Sequence, residues 1–134
     1  MVVGLGIDLV EISRVASACE RFGDRFLKRL FSSEEIRYCY AFTDPAPHLA
    51  ARFAAKEAVS KAFGTGIGAR LGWLDIEVRN YKSGQPYVLL HDKGMQLLRD
   101  LGASSVHISL AHTREHAVAV AIIESLHNAP CSAR

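Results

Sequence analysis

RFAAKEAVSKAFGTG, residues 52–66, is the stretch that decides the fold of this chain. Its alanines and Val59 recur at helical spacing and occupy one continuous arc of a helix surface. Because these side chains are small, the arc must be buried against an element that approaches closely. A turn over residues 43–47 precedes the stretch and glycines follow from Gly64 onward, so we predict a helix over residues 48–63.

Charged side chains border this arc on both sides: Glu57 and Lys61 on one side, Arg52 and Lys56 on the other. Glu57 and Lys61 have the spacing of a surface ion pair, which stabilises a helix by only about 0.2–0.5 kcal/mol. The alternative is that Glu57 belongs to a site, with Lys61 one helical turn beyond it as an acid or base. The helix pattern alone leaves both interpretations open.

The first apolar stretch, residues 2–10, alternates with a period of two and predicts a strand. Asp8 lies on the same face of this strand as Gly4 and Gly6. Glycine in a strand marks a place where another backbone or a ligand comes close, so this face suits an ion with its bound phosphate. Aspartate also ends strands and caps helices, and that interpretation of Asp8 stays open.

Asp8 and Glu57 come from separate predicted elements and together form a candidate site for a divalent metal. Two carboxylates suit Mg²⁺, which prefers a few hard oxygen ligands together with water and substrate phosphate. Lys61 would place a positive charge nearby. The combination indicates chemistry on a phosphate group.

The rest of the sequence predicts further helices and strands. The predicted helices are a region over 13–30 that is broken near Gly23, a short helix opened by Ser32-Ser33-Glu34-Glu35, and one over 92–101. The predicted strands cover 71–79, 86–90, 106–111 and 116–123, and the last is too apolar to face water on either side.

Length and composition narrow the class of protein. At 134 residues, 49% of them hydrophobic, the chain is long enough for one globular domain. Its net charge of +2 does not favour nucleic acid as a partner. It contains neither a membrane-length apolar run nor a signal segment, so we expect a cytoplasmic protein with no membrane partner. The cysteines and the histidines at 107, 112 and 116 lack the spacing of a disulfide framework or a zinc site.

Basic residues recur between positions 14 and 30, at Arg14, Arg21, Arg25, Lys28 and Arg29. On a continuous helix they would form one basic stripe, which would steer and orient an acidic partner. A solvated face without a partner is the other interpretation of the same residues.

Two motifs resemble those of a known family: GIDLVEI at residues 6–12, and RFAAKEA at residues 52–58 continuing through Lys61 to the following glycines. They resemble the signatures of the holo-[acyl-carrier-protein] synthases, the short bacterial type of 4'-phosphopantetheinyl transferase. SGQP at 83–86 and SLAH at 109–112 also match in order and spacing, so the resemblance covers nearly the whole chain. It implies transfer of the phosphopantetheine arm of coenzyme A to a serine of apo acyl carrier protein, with release of adenosine 3',5'-bisphosphate.

The resemblance also implies catalytic roles. Asp8 and Glu57 match the family's magnesium ligands. Glu57 would take the serine proton directly or through a metal-bound water, and Lys61 would steady or protonate the leaving phosphate.

For coenzyme A, the resemblance implies binding along the loop that holds Gly64 and Gly66 and along the turn that ends at Pro86. Arg52 and His112 are the expected contacts to its phosphate or adenine side. The chain departs from the pattern of many relatives at the position before His112, where Ala111 replaces a serine or threonine and a hydroxyl donor is lost.

The resemblance also implies a partner for the basic residues, because acyl carrier proteins are strongly acidic. The expected docking residues are Arg14, Arg21, Arg25 and Lys28, with Phe22 and Phe26 supplying apolar contact. The family's subunit is α+β, a small antiparallel sheet packed on a long helix, and forms a homotrimer with active sites between neighbours. We assign this single domain to residues 1–126 and expect 127–134 to be a disordered tail.

Two alternatives use the same residues differently. A metal-dependent nucleotide pyrophosphatase or phosphohydrolase would keep Asp8, Glu57 and Lys61 but attack with water, and would not need the basic residues. A non-catalytic module that binds acyl carrier protein would tolerate the loss of Glu57.

Overall fold

The computed structural model of the chain describes residues 1–126, so the predicted tail at 127–134 lies outside the described residues. In chain order the elements are β1 (Val2–Glu11), α1 (Ile12–Phe22), α2 (Asp24–Leu30), α3 (Ser33–Tyr40), α4 (Ala46–Phe63), β2 (Ile76–Asn80), β3 (Pro86–Leu90), α5 (Lys93–Asp100), β4 (Ser105–His112) and β5 (His116–Glu124). A 3₁₀ turn at Trp73–Asp75 precedes β2. Within residues 1–126, no helix is long and apolar enough to cross a membrane.

The strands form two antiparallel sheets. Strands β1, β5 and β4 build a three-stranded sheet in that order, and β2 and β3 form a separate hairpin. Helix α4 packs against all three strands of the larger sheet. This is the α+β architecture that the family resemblance implied, with a small antiparallel sheet on a long helix.

The contact between β1 and α4 is closest at Gly6, which is buried. A Cβ atom at Gly6 would overlap the carbonyl oxygen of Ala58 and lie 2.8 Å from the backbone nitrogen of Ala62. The prediction that the glycine face of β1 meets another backbone is therefore confirmed. Side chains alternate along a strand, so Asp8 lies on the same face as Gly6 and is brought against α4.

Helix α4 carries two cations into the core. Arg52 and Lys56, predicted to border its apolar arc, are only 2% and 0% exposed. The ammonium group of Lys56 donates to Glu35 Oε1 at 2.8 Å and to the carbonyl oxygens of Leu30 and Trp73 at 2.7 Å and 3.0 Å. These partners replace the water that a lysine normally keeps, and they join α4 to three other segments.

Two predicted boundaries need correction. Strand β2 begins at Ile76 and not at residue 71, because the side chain of Asp75 accepts a hydrogen bond from the Gly72 nitrogen at 2.7 Å and closes a turn there. Helix α4 begins at Ala46, two residues before its predicted start. The predicted break at Gly23 is confirmed, with a φ of 57° that ends α1 and separates it from α2.

The outer face of the three-stranded sheet, which faces away from α4, is apolar. Leu5, Ile7 and Leu9 of β1 are 61–65% exposed, and Val118, Val120 and Ile122 of β5 are partly exposed beside them. Strand β5 was predicted to have both faces covered, but in a single chain only its inner face is buried. An exposed apolar surface of this kind is typical of an interaction site.

Candidate active site

Asp8, Glu57 and Lys61 line one cavity of about 530 Å³ beside the contact between β1 and α4. Strand β1 supplies the aspartate, and successive turns of α4 supply the glutamate and the lysine. The alternative that Asp8 merely ends the strand or caps a helix is wrong, because β1 continues to Glu11 and Glu11 itself is the N-cap of α1.

Lys61 binds β1 and not its helical neighbour. Its ammonium group donates to Asp8 Oδ1 at 3.1 Å and to the carbonyl oxygen of Ile7 at 3.0 Å. The surface ion pair between Glu57 and Lys61 that the spacing allowed is therefore not the ion pair that forms. The Lys61 side chain is still 52% exposed, so it can meet an anionic group that enters the cavity.

The Glu57 carboxyl group is costly to ionise in the chain without a bound cation. Burial raises the pKa of this group, the charge of Asp8 raises this pKa further, and Lys61 opposes the shift. No salt bridge to the Glu57 carboxylate forms within residues 1–126. A cation held between Asp8 and Glu57 would relieve this repulsion.

The oxygen donors fit Mg²⁺. Residues 1–126 contain no group of three or more His, Cys, Asp or Glu side chains arranged to hold one metal ion, so a metal in this cavity would take its protein ligands from the pair Asp8 and Glu57. Magnesium accepts such a site, since it keeps water and takes substrate phosphate oxygens at its remaining positions. Asp8 and Glu57 are the residues that would hold it.

Other walls of this cavity carry residues of the predicted docking surface. Arg14 and Phe26 line it together with Phe53, whose ring stacks on Trp73 with centroids 5.1 Å apart. His116, which pairs with Glu11 across the β1–β5 ladder, also lines it. The sequence analysis considered His116 only as a zinc ligand and missed this position.

Arg52, Pro86 and His112 line a second cavity, of about 180 Å³. The Arg52 guanidinium lies 4.2 Å from the centroid of the Tyr38 ring and donates to Asn80 Oδ1 at 2.6 Å. Its Nε atom is buried without a hydrogen-bond partner among the described residues. A fixed guanidinium with an unused donor is suited to an anion.

Within residues 1–126 of one chain, the two cavities share no lining residue. Gly64 and Gly66 line neither of them. Their backbone N–H groups donate to the carbonyl oxygens of Lys61 and Ser60, so they close the end of α4. These N–H groups are therefore used within the chain, and a coenzyme A contact by this loop stays a prediction.

The predicted docking residues fall into two groups. Arg14, Arg21 and Phe22 line a shallow groove on α1, where Phe22 is 54% exposed and the Arg21 guanidinium lies 5.3 Å from its ring centroid. Arg25 and Lys28 are exposed on α2 and lie outside that groove. The basic residues do not form one continuous stripe, because Gly23 divides the two helices.

His48 is a site residue that the sequence analysis missed. It lies in the first turn of α4, lines the second cavity, and has its ring 5.8 Å from that of His112. Its spacing of four residues from Arg52 is the signal that could have placed it on the same helix face.

The chain's sequence matches the family profile described as "4'-phosphopantetheinyl transferase superfamily" over residues 4–121. The matched residues include those that line both cavities and the parts of the five strands that lie between Gly4 and Ala121. The chain belongs to the 4'-phosphopantetheinyl transferase superfamily. Relatives in this superfamily match it along nearly their whole length.

A holo-[acyl-carrier-protein] synthase of Chlamydia trachomatis serovar L2 is 50% identical over 121 residues, which are 90% of this chain and 98% of the relative. The holo-[acyl-carrier-protein] synthase of Koribacter versatilis is 45% identical over 124 residues, 92% of this chain and 99% of the relative. The crystal structure of Helicobacter pylori holo-[acyl-carrier-protein] synthase in complex with coenzyme A aligns with a TM-score of 0.81 and 33% identity, over 90% of this chain and 99% of that one.

Proposed function

We propose that this transferase moves the 4'-phosphopantetheine arm of coenzyme A to a serine of apo acyl carrier protein. The products are holo acyl carrier protein and adenosine 3',5'-bisphosphate. The observation that carries the proposal is the meeting of Asp8, Glu57 and Lys61 in one cavity. The likeness to holo-[acyl-carrier-protein] synthases, one of them solved with coenzyme A, supports the choice of substrates.

The reaction is a displacement at phosphorus. The serine oxygen forms a bond to the phosphorus that carries the pantetheine arm, and the bond from that phosphorus to the bridging oxygen breaks. The bridging oxygen leaves with the electron pair as part of adenosine 3',5'-bisphosphate. A protein accelerates such a reaction mainly by placing charged groups around the reacting atoms, and less by forming covalent bonds to the substrate.

Asp8 and Glu57 would hold Mg²⁺, and a bound Mg²⁺ would supply Lewis-acid polarisation and charge neutralisation for phosphoryl transfer. Glu57 is the base that takes the serine proton. Lys61, tethered to Asp8 and Ile7, presents its ammonium group to the leaving phosphate. Together these groups hold the reacting atoms and balance the charge that develops.

A homotrimer would complete the site. The cavity with Asp8 and the cavity with Arg52 share no residue in one chain, so a coenzyme A held at Arg52 of one subunit would reach Asp8 of a neighbour. The exposed apolar face at Leu5, Ile7 and Leu9 supports burial of this sheet between subunits.

Acyl carrier protein docks on the groove of α1. Arg14 lines both this groove and the cavity with Asp8, so a partner in the groove lies beside the reacting groups. The exposed ring of Phe22 with Arg21 beside it offers an apolar contact surrounded by positive charge. This surface is suited to an acidic helical partner.

The test is the intact mass of an apo acyl carrier protein after incubation with this protein, coenzyme A and Mg²⁺. We expect a gain of one phosphopantetheine group, lost on chelation and in a Glu57→Gln variant. Consumption of coenzyme A without a mass gain on the carrier protein would contradict the proposed transfer and indicate a pyrophosphatase. No change in coenzyme A or in any of several carrier proteins would contradict the proposed transfer and indicate a non-catalytic binding module.

A further inference from the structure

Three basic side chains converge on the cavity of about 180 Å³: Arg52, His48 and His112. Among residues 1–126, no carboxylate lines it. The Arg52 guanidinium is 2% exposed and its Nε atom has no partner among the described residues. The cavity therefore has positive charge and an unused hydrogen-bond donor with no acidic side chain in its walls to balance them.

The ring of His48 is held in place by aromatic contacts. It stacks on Phe42 with centroids 3.6 Å apart and planes inclined by 17°, and it meets Tyr38 edge to face at 6.4 Å. The ring of His112 faces it at 5.8 Å. Neither ring nitrogen of His48 has a hydrogen-bond partner within residues 1–126, so these contacts fix the ring without using its polar atoms.

The charges around His48 favour its neutral form in the free protein. Burial lowers its pKa most, His112 and the Arg52 guanidinium lower it further, and only Asp44 opposes the shift. The titratable phenol of Tyr38 is the other ionisable group in contact with the ring. An anion placed between Arg52 and the histidines would reverse the balance, because it would favour the imidazolium.

We propose that His48 takes up a proton from solvent when a phosphate monoester enters this cavity. The proposal rests on the proposed function, because coenzyme A carries one such group, its 3'-phosphate, apart from the pyrophosphate that reacts. His48 thereby makes the preference for coenzyme A over dephospho-coenzyme A dependent on pH. Its role is in recognition of the substrate and not in the chemical step.

Proton uptake by His48 and phosphate binding are thermodynamically linked, and this linkage sets how the affinity changes with pH. The pKa of His48 is lowered in the free protein and would be raised beside a bound phosphate, so affinity for the 3'-phosphate rises as pH falls from the pKa of the complex toward that of the free protein. At a pH above both of these pKa values, His48 no longer contributes to the affinity for the 3'-phosphate. The phosphate group also titrates, with a pKa of about 6. The part of the pH dependence that is due to His48 must therefore be measured by comparing variants with the wild type.

The experiment is calorimetric titration of the full chain with coenzyme A and with dephospho-coenzyme A, with Mg²⁺ and without carrier protein. Buffers of different ionisation enthalpy report the protons taken up. For the wild type we expect greater uptake with coenzyme A, and an affinity ratio that rises about 3- to 10-fold from about pH 8.5 to about pH 6.5.

His48→Phe keeps the stack on Phe42 and removes the titrating group, and His48→Gln is the second variant in case the larger ring disturbs folding. Both are expected to lose most of this rise, so that their affinity ratio differs little between about pH 8.5 and about pH 6.5. His91→Gln is the matched control, since it removes a histidine outside the cavity and can still donate to Glu77. It is expected to behave as the wild type.

Equal proton uptake by the wild type and both His48 variants would overturn the inference while leaving the transfer reaction intact. Absence of coenzyme A binding by a wild type that also fails to modify carrier protein would instead overturn the proposed function, and this inference with it. A purely structural role of His48 would alter stability or all affinities equally, without moving the pH profile.

Discussion

Lys61 pairs with Asp8 across the contact between α4 and β1, with 3.1 Å between Nζ and Oδ1, although Glu57 precedes it by one turn of the same helix. The lysine therefore neutralises the strand carboxylate, while burial and, after it, the charge of Asp8 raise the pKa of the Glu57 carboxyl group. A site arranged in this way has an oxygen ligand that is costly to ionise until a cation arrives.

The first prediction concerns Glu57→Gln. We expect transfer activity to fall at least about 100-fold, because the variant loses both the proposed proton acceptor and one of the two proposed metal ligands. The metal-free variant is expected to be slightly more stable than the wild type at neutral pH. A raised folded-state pKa means that the stabilising contribution of Glu57 is present at low pH and lost as pH rises through that pKa.

Thermal unfolding with EDTA and with Mg²⁺ measures this second effect. Magnesium should raise the melting temperature of the wild type and have little effect on Glu57→Gln. Glu20→Gln, on the exposed part of α1, is the matched control and should respond to Mg²⁺ as the wild type does. An unchanged melting response in Glu57→Gln would mean that Glu57 is not a metal ligand.

The second prediction concerns Gly6→Ala. The new methyl group would overlap the carbonyl oxygen of Ala58, so β1 must move away from α4. We expect a loss of about 1–3 kcal/mol in the free energy of unfolding, together with lower activity as Asp8 moves with the strand. Urea denaturation and the carrier-protein assay measure the two effects.

Gly68→Ala is the matched control for that change, because a Cβ atom at Gly68 meets nothing within 4 Å. It is expected to leave both stability and activity near the wild-type values. If Gly6→Ala were equally well tolerated, the close approach of β1 and α4 would not be what places Asp8.

The third prediction concerns the buried pair Lys56 and Glu35, whose side chains are both fully inaccessible. Lys56→Met should cost about 3–5 kcal/mol, because it leaves the glutamate charge buried without its partner. Adding Glu35→Gln should recover part of this loss, since the remaining charge is then removed. Urea unfolding of the single and double variants measures the coupling.

The exposed pair Arg37 and Glu34 is the matched comparison, with a similar distance of 2.9 Å. Arg37→Met should change stability by less than about 1 kcal/mol, because solvent screens that pair. A loss as small as this for Lys56→Met would contradict the view that the buried lysine joins α4 to its neighbours.

The fourth prediction concerns assembly. The wild type should have a mass in solution three times its 14.7 kDa chain mass, measured by light scattering. Ile7→Glu places a charge on the exposed apolar face and should give monomers that retain secondary structure but lose most activity. An active monomer of Ile7→Glu would contradict a site shared between subunits.

The fifth prediction concerns docking. Arg21→Glu should lower kcat/KM for acyl carrier protein about 10-fold or more at low salt, with a smaller effect at high salt. Binding of coenzyme A should be unchanged. Arg99→Glu, an exposed position on α5, is the charge-matched control and should have little effect. Equal losses in the two variants would indicate a general charge effect in place of a docking groove.

The order of helices and strands, the long alanine-rich helix and the pair of acidic residues could be predicted from the sequence. Each of these depends on local periodicity or on the chemistry of a single side chain. The glycine face of β1 also predicted a close approach, and Gly6 meets the backbone of α4. Strand starts were less predictable, because a turn closed by the side chain of Asp75 delays β2.

The sequence by itself thus placed Asp8 and Glu57 on separate elements, and its resemblance to a known family implied the α+β architecture. Only the tertiary structure decided that Lys61 binds Asp8, that Lys56 is buried with Glu35, and that Arg52 and His48 share a cavity separate from the acidic pair. The partner of a long charged side chain depends on which distant segments fold against it. Spacing along one helix does not contain that information.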